Sequence, residues 1–277
     1  MTTPSPFSVP EPWDLVAQGY ADEAGAVMAP FSARAIELAK LAADAHVLDV
    51  AAGPGTLVLE VAQRVAAVTA VDFSAEMNER LQAQALQRGL SNVRVLQADG
   101  QALPLPAASF DAGFSMFGWM FFPDRAQGLV ELHRVLRPRA TLVVSSWAPL
   151  ARSPLMAAMF GALQAADETF VIPGYNPDSL ENPERLASEL RAGGFEDVAV
   201  HDHTVELAFA DTGALWTRMT RSSAPLVSLR KRLGETVWRE RSELARGYLE
   251  RELGRGAVSL STTAWLGTGR RALIAGL

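Results

Sequence analysis

The stretch VLDVAAGPGTLVLEVA, residues 47–62, decides how this chain is read. A short β-branched run enters a turn of small residues, and an apolar run at helical spacing leaves it. Strand, tight turn and helix in that order form the opening unit of a parallel α/β sheet, whose turn lets a ligand approach the backbone. The residues limit the ligand. A dinucleotide-binding turn needs a third small residue three places after its second glycine, and that place holds Val58. Pro54 removes a backbone donor that a pyrophosphate would use. No Gly-Lys-Ser/Thr follows, so a Walker loop is excluded. The turn is one for a ligand other than phosphate.

Downstream, the same rhythm repeats. Strand-like runs HVLDVA (46–51), AVTAVDF (67–73), VRVLQAD (93–99), FDAGFSM (110–116) and ATLVVSSW (140–147) alternate with helical segments at Thr56–Arg64, Ala75–Arg88 and Arg125–Leu136. The strands are apolar on both sides, as a sheet covered by helices on two faces requires. Upstream, residues 12–43 read as helical, in two parts separated by Pro30. After residue 148 the rhythm breaks. Residues 149–182 hold one helix and a Pro/Gly/Asn-rich loop; Asn182 and Pro183 open a helix to Arg191. FEDVAVHDHTVELAF (195–209) alternates as a long strand, 212–256 is helical and rich in arginine, and residues 257–274 close the chain as a strand. One domain over 1–277 is expected: a helical lead-in (1–43), a ligand-binding core (44–148) and two helical insertions (149–182 and 212–256) that cover a second ligand.

Two strand-end acids identify the kind of ligand. Asp72 ends the second strand, 23 residues after Asp49, where a carboxylate accepts hydrogen bonds from a ribose diol. Asp99 ends the third, placed to accept from an exocyclic amine such as that of adenine. The plainer alternative is that each merely caps the next helix, and for Asp72 the neighbouring Ser74 and Glu76 give it weight. Together with the glycine turn, the acids describe an adenosine site without phosphates.

With these motifs in order over residues 45–148, the chain resembles the class I S-adenosylmethionine-dependent methyltransferases, in the group that includes the ubiquinone/menaquinone-biosynthesis enzymes. The resemblance implies a Rossmann-like doubly wound, mostly parallel seven-stranded sheet with helical insertions, and S-adenosylmethionine as cofactor. It places Asp49, Ala51, Gly53 and Gly55 at the first motif. Asp72 falls on the ribose, Phe73 and Met77 flank the adenine, and Asp99, Gly100 and Gln101 surround its ring. Ser115 at the fourth strand end is counted with them, and Tyr20 closes over the methionine end. Two positions depart from the family: Ala51 replaces the first glycine of the turn, and Pro138-Arg139-Ala140 stands where Pro-Gly-Gly is usual, leaving a left-handed turn without its glycine.

The acceptor side reads as apolar. FSMFGWMFFPD (114–124) gathers five aromatic residues at a strand end; Phe117, Trp119 and Phe122 are assigned to the acceptor, Phe114 to packing. Trp13, Trp147, Met156 and Tyr175 complete that set, with Met159 and Phe160 beside them. The segment Ser115-Met116-Phe117-Gly118 lacks the Asn/Asp-Pro-Pro-aromatic motif of amino-group methylation on nucleobases and glutamine. There is no cysteine, which removes thiolate chemistry and Cys-based zinc sites. A small-molecule acceptor methylated on oxygen, carbon or nitrogen remains. No catalytic residue is assigned: His46 reads as solvated, His133 as a packing residue, and His201 with His203 as a strand pair lacking a third metal ligand, so no metal is expected. Glu168, Tyr175 and Asp178 are equal candidates for a base.

Bulk properties narrow the partners. The net charge is −6, from 25 basic and 31 acidic side chains, which gives no pull toward nucleic acid. Residues 218–255 alone carry ten basic groups against five glutamates, but Leu229, Leu233, Val237, Leu244, Tyr248 and Leu249 form an apolar stripe, so a solvated amphipathic helix is expected, with Glu235–Arg239 and Glu250–Arg246 as ion pairs. An arginine reaching a substrate carboxylate from Arg218 or Arg221 stays open. MTTPSPFSVPEP is a loose lead-in rather than a secretory signal, and no run spans a bilayer, so a cytoplasmic protein is expected, with a homodimer left open. Rival readings are a catalytically silent binding protein of the same fold and an NAD-dependent oxidoreductase, the latter disfavoured by Val58 and Asp99.

Overall fold

The structure is a computed structural model that describes residues 5–273. Its frame is a seven-stranded sheet in the order β3-β2-β1-β4-β5-β7-β6. β1 (His46–Val50), β2 (Ala67–Asp72), β3 (Val93–Gln97), β4 (Phe110–Ser115) and β5 (Leu136–Trp147) run parallel, and β7 (Val258–Arg271) inserts antiparallel between β5 and β6 (Phe195–Phe209). The helices are α1 (Glu11–Gly19), α2 (Gly25–Ala39), α3 (Thr56–Val61), α4 (Ala75–Gln87), α5 (Arg125–Val135), α6 (Pro154–Ala166), α7 (Pro183–Ala192), α8 (Thr212–Ser222) and α9 (Ala224–Leu253).

Alternation along the central strands explains the two-faced burial. Val47 joins a core with Phe31 and Ile36 of α2, Leu57 of α3 and Leu81 of α4. Leu48 and Val50 face the other way, against Leu129 and Leu132 of α5 and Leu186 of α7. A third core lies off the sheet, where α6, α8 and α9 pack together through Leu163, Trp216 and Trp238. The indoles of Trp216 and Trp238 stack at 5.9 Å. Helix starts follow their capping chemistry: Ser74, Asp124, Asn182 and Asp211 each accept from a backbone N–H of the first turn of α4, α5, α7 and α8.

Three expectations are corrected. The break in the N-terminal helix is not at Pro30 but at a π-turn over Tyr20–Ala24, and α2 runs through the proline. A proline inside a helix costs about 3 kcal/mol. Burial of Phe31 and Ile36 just beyond it, each worth roughly 1.5–3 kcal/mol, offsets that. The lead-in is also not loose throughout. Residues 1–4 lie outside the described part, but Phe7 packs edge-on against Trp13 at 6.0 Å and receives the Trp13 indole N–H on its carbonyl at 2.9 Å.

The arginine-rich helix departs from its expected stripe. Gly234 adopts φ 73°, ψ 161° and kinks α9, so the buried face passes from Leu226 and Leu229 to Trp238, Ala245 and Leu249. Val237 and Leu244 are left exposed. The ion pairs shift with the kink: Glu235 pairs with Arg230 at 2.8 Å, Glu250 with Arg255 at 3.0 Å, and Arg246 with Glu243 at 3.4 Å. Among the described residues, no helix is long and apolar enough to cross a membrane.

Candidate cofactor and acceptor site

Strand order reverses between β1 and β4, and the loops leaving these strands diverge to open a crevice at their carboxyl ends. The turn after β1 holds three residues with positive φ: Ala51 at 58°, Gly53 at 54° and Gly55 at 91°. Ala51 takes a left-handed conformation that glycine adopts at less cost. Across the crevice it meets Gly118, whose position admits no side chain: a Cβ there would lie 2.2 Å from that of Ala51. Arg139 at φ 66° likewise holds a left-handed turn without a glycine.

A cavity of about 110 Å³ opens over this turn. It is bordered by Ala51 and Gly53, then Asp72, Phe73 and Met77 from the second strand end. Ala98, Asp99, Gly100 and Gln101 border it from the third, and Tyr20 from the N-terminal helix. Asp72 is not a helix cap, since Ser74 performs that role. Its carboxylate accepts from the N–H of Gly53 at 2.8 Å and of Ser74 at 2.9 Å. Burial pushes its pKa up to about 6 against those two hydrogen bonds, and Asp14 adds to the rise. Asp14 itself receives the Ser74 hydroxyl at 2.5 Å, which docks α1 on the site.

Burial, then the charge of Asp72, holds the Asp49 carboxyl well above the usual range and raises the Tyr20 hydroxyl to about 12. Asp49 is 2% exposed, and its Oδ1 has no hydrogen-bond partner. A buried, unpartnered acceptor beside a small-residue turn fits a ligand that brings its own donors. The strand-end acids and a turn with space at Gly53, where a Cβ would meet nothing within 4 Å, fit an adenosine ligand equally. These residues suit S-adenosylmethionine.

A second cavity of about 340 Å³ adjoins the first, under α6, α8 and the start of α9. Phe7, Trp13, Tyr20, Phe117 and Phe121 line both. Phe117 has φ 58°, a strained conformation for a bulky residue, and its N–H donates to Ser145 Oγ at 2.8 Å. Its ring stacks on Trp147 at 4.1 Å. Methionines recur along the rest of the wall. Of eight in the sequence, all but Met1, which lies outside the described residues, line one cavity or the other.

The structure sorts the expected residues. Trp13, Phe117, Trp147 and Met156 line the second cavity. Phe122 lines the first instead, against Gly100. Trp119 reaches neither: it is fully buried, with its indole N–H on the Arg125 carbonyl at 2.9 Å. Tyr175 is 59% exposed and lies away from both. Asp49, Ser115 and Gly55 sit behind the lining, Asp49 buried at the end of β1, Ser115 accepting from the Trp119 N–H at 3.1 Å and Gly55 preceding α3. His203 packs on Phe31 at 5.5 Å, and no cluster of three metal-ligating side chains occurs among the described residues. Phe7, Phe121 and Glu181 line cavities but were not singled out from the sequence. Phe7, an aromatic six residues before Trp13 in a Pro/Ser segment, carried the one signal that could have found it.

A methyltransferase-domain family model matches residues 47–139. An uncharacterized protein of Mycobacterium tuberculosis is 41% identical over 128 residues, which is 46% of this chain and 46% of that one, so the match spans about half of that relative. A demethylmenaquinone methyltransferase of Thermus thermophilus is 35% identical over 180 residues, covering 58% of this chain and 79% of the relative. Among solved structures, the cyclase SpnF superposes with a TM-score of 0.64 at 19% identity, covering 99% of this chain and 98% of that one, a likeness of fold. Motif order, the crevice at the strand reversal and these relatives agree, and the chain belongs to the class I S-adenosylmethionine-dependent methyltransferases.

Proposed function

We propose that this protein transfers a methyl group from S-adenosylmethionine to an oxygen, carbon or nitrogen of a small, largely apolar or aromatic acceptor held in the second cavity. The common wall carries the reading: Phe7, Trp13, Tyr20, Phe117 and Phe121 face both spaces, so ligands seated in the two meet across it. The cofactor supplies a methyl on a sulfonium, which leaves behind a neutral sulfide. The chain therefore has to position and dry the reacting groups more than to move protons. In this reading Asp72 holds the ribose, Ala51 and Gly53 serve the methionine half with Asp49 and Gly55 behind them shaping the turn, and Phe73, Met77, Asp99, Gly100 and Gln101 surround the adenine. Tyr20, kept neutral by burial, borders the meeting point as a hydrogen-bond donor. Trp13, Phe117, Trp147 and Met156 seat the acceptor, and α6, α8 and α9 form its lid. The likeness to a demethylmenaquinone methyltransferase supports an aromatic, quinone-like acceptor. The reading places the protein in the cytoplasm without a nucleic-acid partner, and a homodimer remains compatible with it.

Mass spectrometry tests this. With S-adenosylmethionine carrying a labelled methyl and a fractionated metabolite extract, label is expected in an apolar fraction. Tight binding of S-adenosylhomocysteine with no transfer into any fraction would favour a silent member of the fold; binding of NAD in its place would favour the oxidoreductase.

A further inference from the structure

The second cavity is apolar over most of its wall, and only two charged side chains line it among the described residues: Glu181 and Arg218. They enter from different elements. Glu181 lies just ahead of α7, with its backbone oxygen accepting from the Trp265 indole N–H at 2.7 Å. Arg218 belongs to α8, and its guanidinium carbon lies 5.3 Å from the ring centre of Phe209. Glu23 is shared by Arg218 at 3.4 Å and Arg221 at 3.3 Å, so two guanidiniums face one carboxylate.

Hydroxyls line the same cavity. Ser222 and Ser223, one turn beyond Arg218, line the cavity, as does Thr262 of β7; the Ser222 hydroxyl donates to the Arg218 carbonyl at 2.9 Å. Ser223 Oγ and Thr262 Oγ1 are shielded from solvent without a hydrogen-bond partner, and Thr262 is fully buried. Ser223 occupies the cap position of α9, yet its side chain makes no capping bond. Two guanidiniums that share one carboxylate, and buried hydroxyls without partners in the same apolar wall, are costly unless a ligand meets them. The partner that satisfies a guanidinium and a neighbouring hydroxyl together is an anionic oxygen.

Resting on the acceptor reading of this cavity, we propose that Arg218, with Ser223 near it on the same cavity wall, binds a carboxylate of the acceptor. The substrate class is then an aromatic or polycyclic acid, its ring body seated against the methionines and its acidic group at Arg218. Glu181 would repel a second anion, so the site selects acceptors with one acidic group.

The test uses two probes that share a ring and differ in charge, 2-naphthoate and 2-naphthalenemethanol. Each is titrated by calorimetry onto the full chain loaded with S-adenosylhomocysteine. Naphthoate is expected to bind at least tenfold more tightly than the alcohol. That preference should fall within twofold in Arg218→Gln and survive in part in Arg218→Lys, with S-adenosylhomocysteine affinity unchanged in both variants as the check on folding. If Arg218→Gln loses cofactor binding, the wild-type ratio and the lysine variant still decide. Equal affinities in the wild type, or a preference untouched by Arg218→Gln, overturn the inference and leave the acceptor reading intact. Failure of both probes to bind while S-adenosylhomocysteine binds overturns both.

Discussion

Oδ2 of Asp72 accepts a hydrogen bond from the backbone N–H of Gly53 at 2.8 Å, tying the end of β2 to the turn after β1. This carboxylate sets the shape of the turn and, in the proposed site, receives the ribose. Replacing it with alanine removes charge-assisted hydrogen bonds worth about 1.5–3 kcal/mol each. Asp72→Ala is expected to weaken S-adenosylhomocysteine by roughly 10- to 100-fold in calorimetry. An unchanged affinity would remove Asp72 from the site.

The same group makes binding depend on pH. Its folded pKa of about 6 lies above the ordinary 3.8, so the folded state disfavours the charged form. Stability is therefore full below the unfolded value and is lost as pH rises from about 4 through 6, by roughly 3 kcal/mol at most. Hydroxyl donors of a bound ribose favour the carboxylate and pull that pKa back down. Binding near pH 6 should release a proton, and affinity should fall as pH drops below 6. Calorimetry in buffers of different ionisation enthalpy reads the proton directly, and heats independent of buffer would contradict this.

Trp119 and Trp147 should behave oppositely. Trp119 is sealed in the core, and truncation of a buried tryptophan costs about 3–5 kcal/mol. Trp119→Ala is expected to show that loss in denaturant unfolding. Trp147 lines the second cavity, and Trp147→Ala should weaken an aromatic probe with a smaller loss of stability. A reversed pattern would reinstate Trp119 as a cavity residue.

Ala51 and Gly118 offer a double-mutant test of the crevice. Gly118→Ala places a methyl 2.2 Å from that of Ala51 and should cost about 1–3 kcal/mol together with cofactor affinity. Ala51→Gly removes the opposing methyl, so the double variant should recover most of the loss, a coupling of over about 1 kcal/mol. Additive effects in thermal unfolding would mean that the loops do not meet.

Arg139 is exposed and holds φ 66°. Glycine there relieves left-handed strain of roughly 1–2 kcal/mol and gives back about 0.4–1 kcal/mol through the freer unfolded chain. Arg139→Gly is expected to raise stability by up to about 1 kcal/mol, and a measurable drop would be the wrong sign.

Much of this was legible in the sequence because its signals are local. The 195–209 strand follows from period-two alternation, and the Asn182-Pro183 helix start from capping chemistry. What escaped depends on the chain bending or returning on itself. One glycine conformation at 234 changed the phase of the helix, turning Val237 and Leu244 outward and bringing Trp238 in. Five aromatics within nine residues could not be divided between cavity and core, because a left-handed Phe117 and the Ser115 hydrogen bond to the Trp119 N–H decide which ring turns inward. Strand order, and with it the meeting of Ala51 and Gly118, is set by packing across the sheet. Arg218 became distinct from Arg221 only once α8 was placed, one bordering the cavity and the other 65% exposed.

The distribution of methionine has a spectroscopic consequence. Met77 and Met116 border the first cavity, and Met28, Met120, Met156, Met159 and Met219 the second. Growth on methionine carrying ¹³C at its terminal methyl would therefore place isotopic reporters at both sites and, among the described residues, nowhere else. Each ligand would write its own set of shifted resonances, and the two cavities could be watched filling independently without any engineered label.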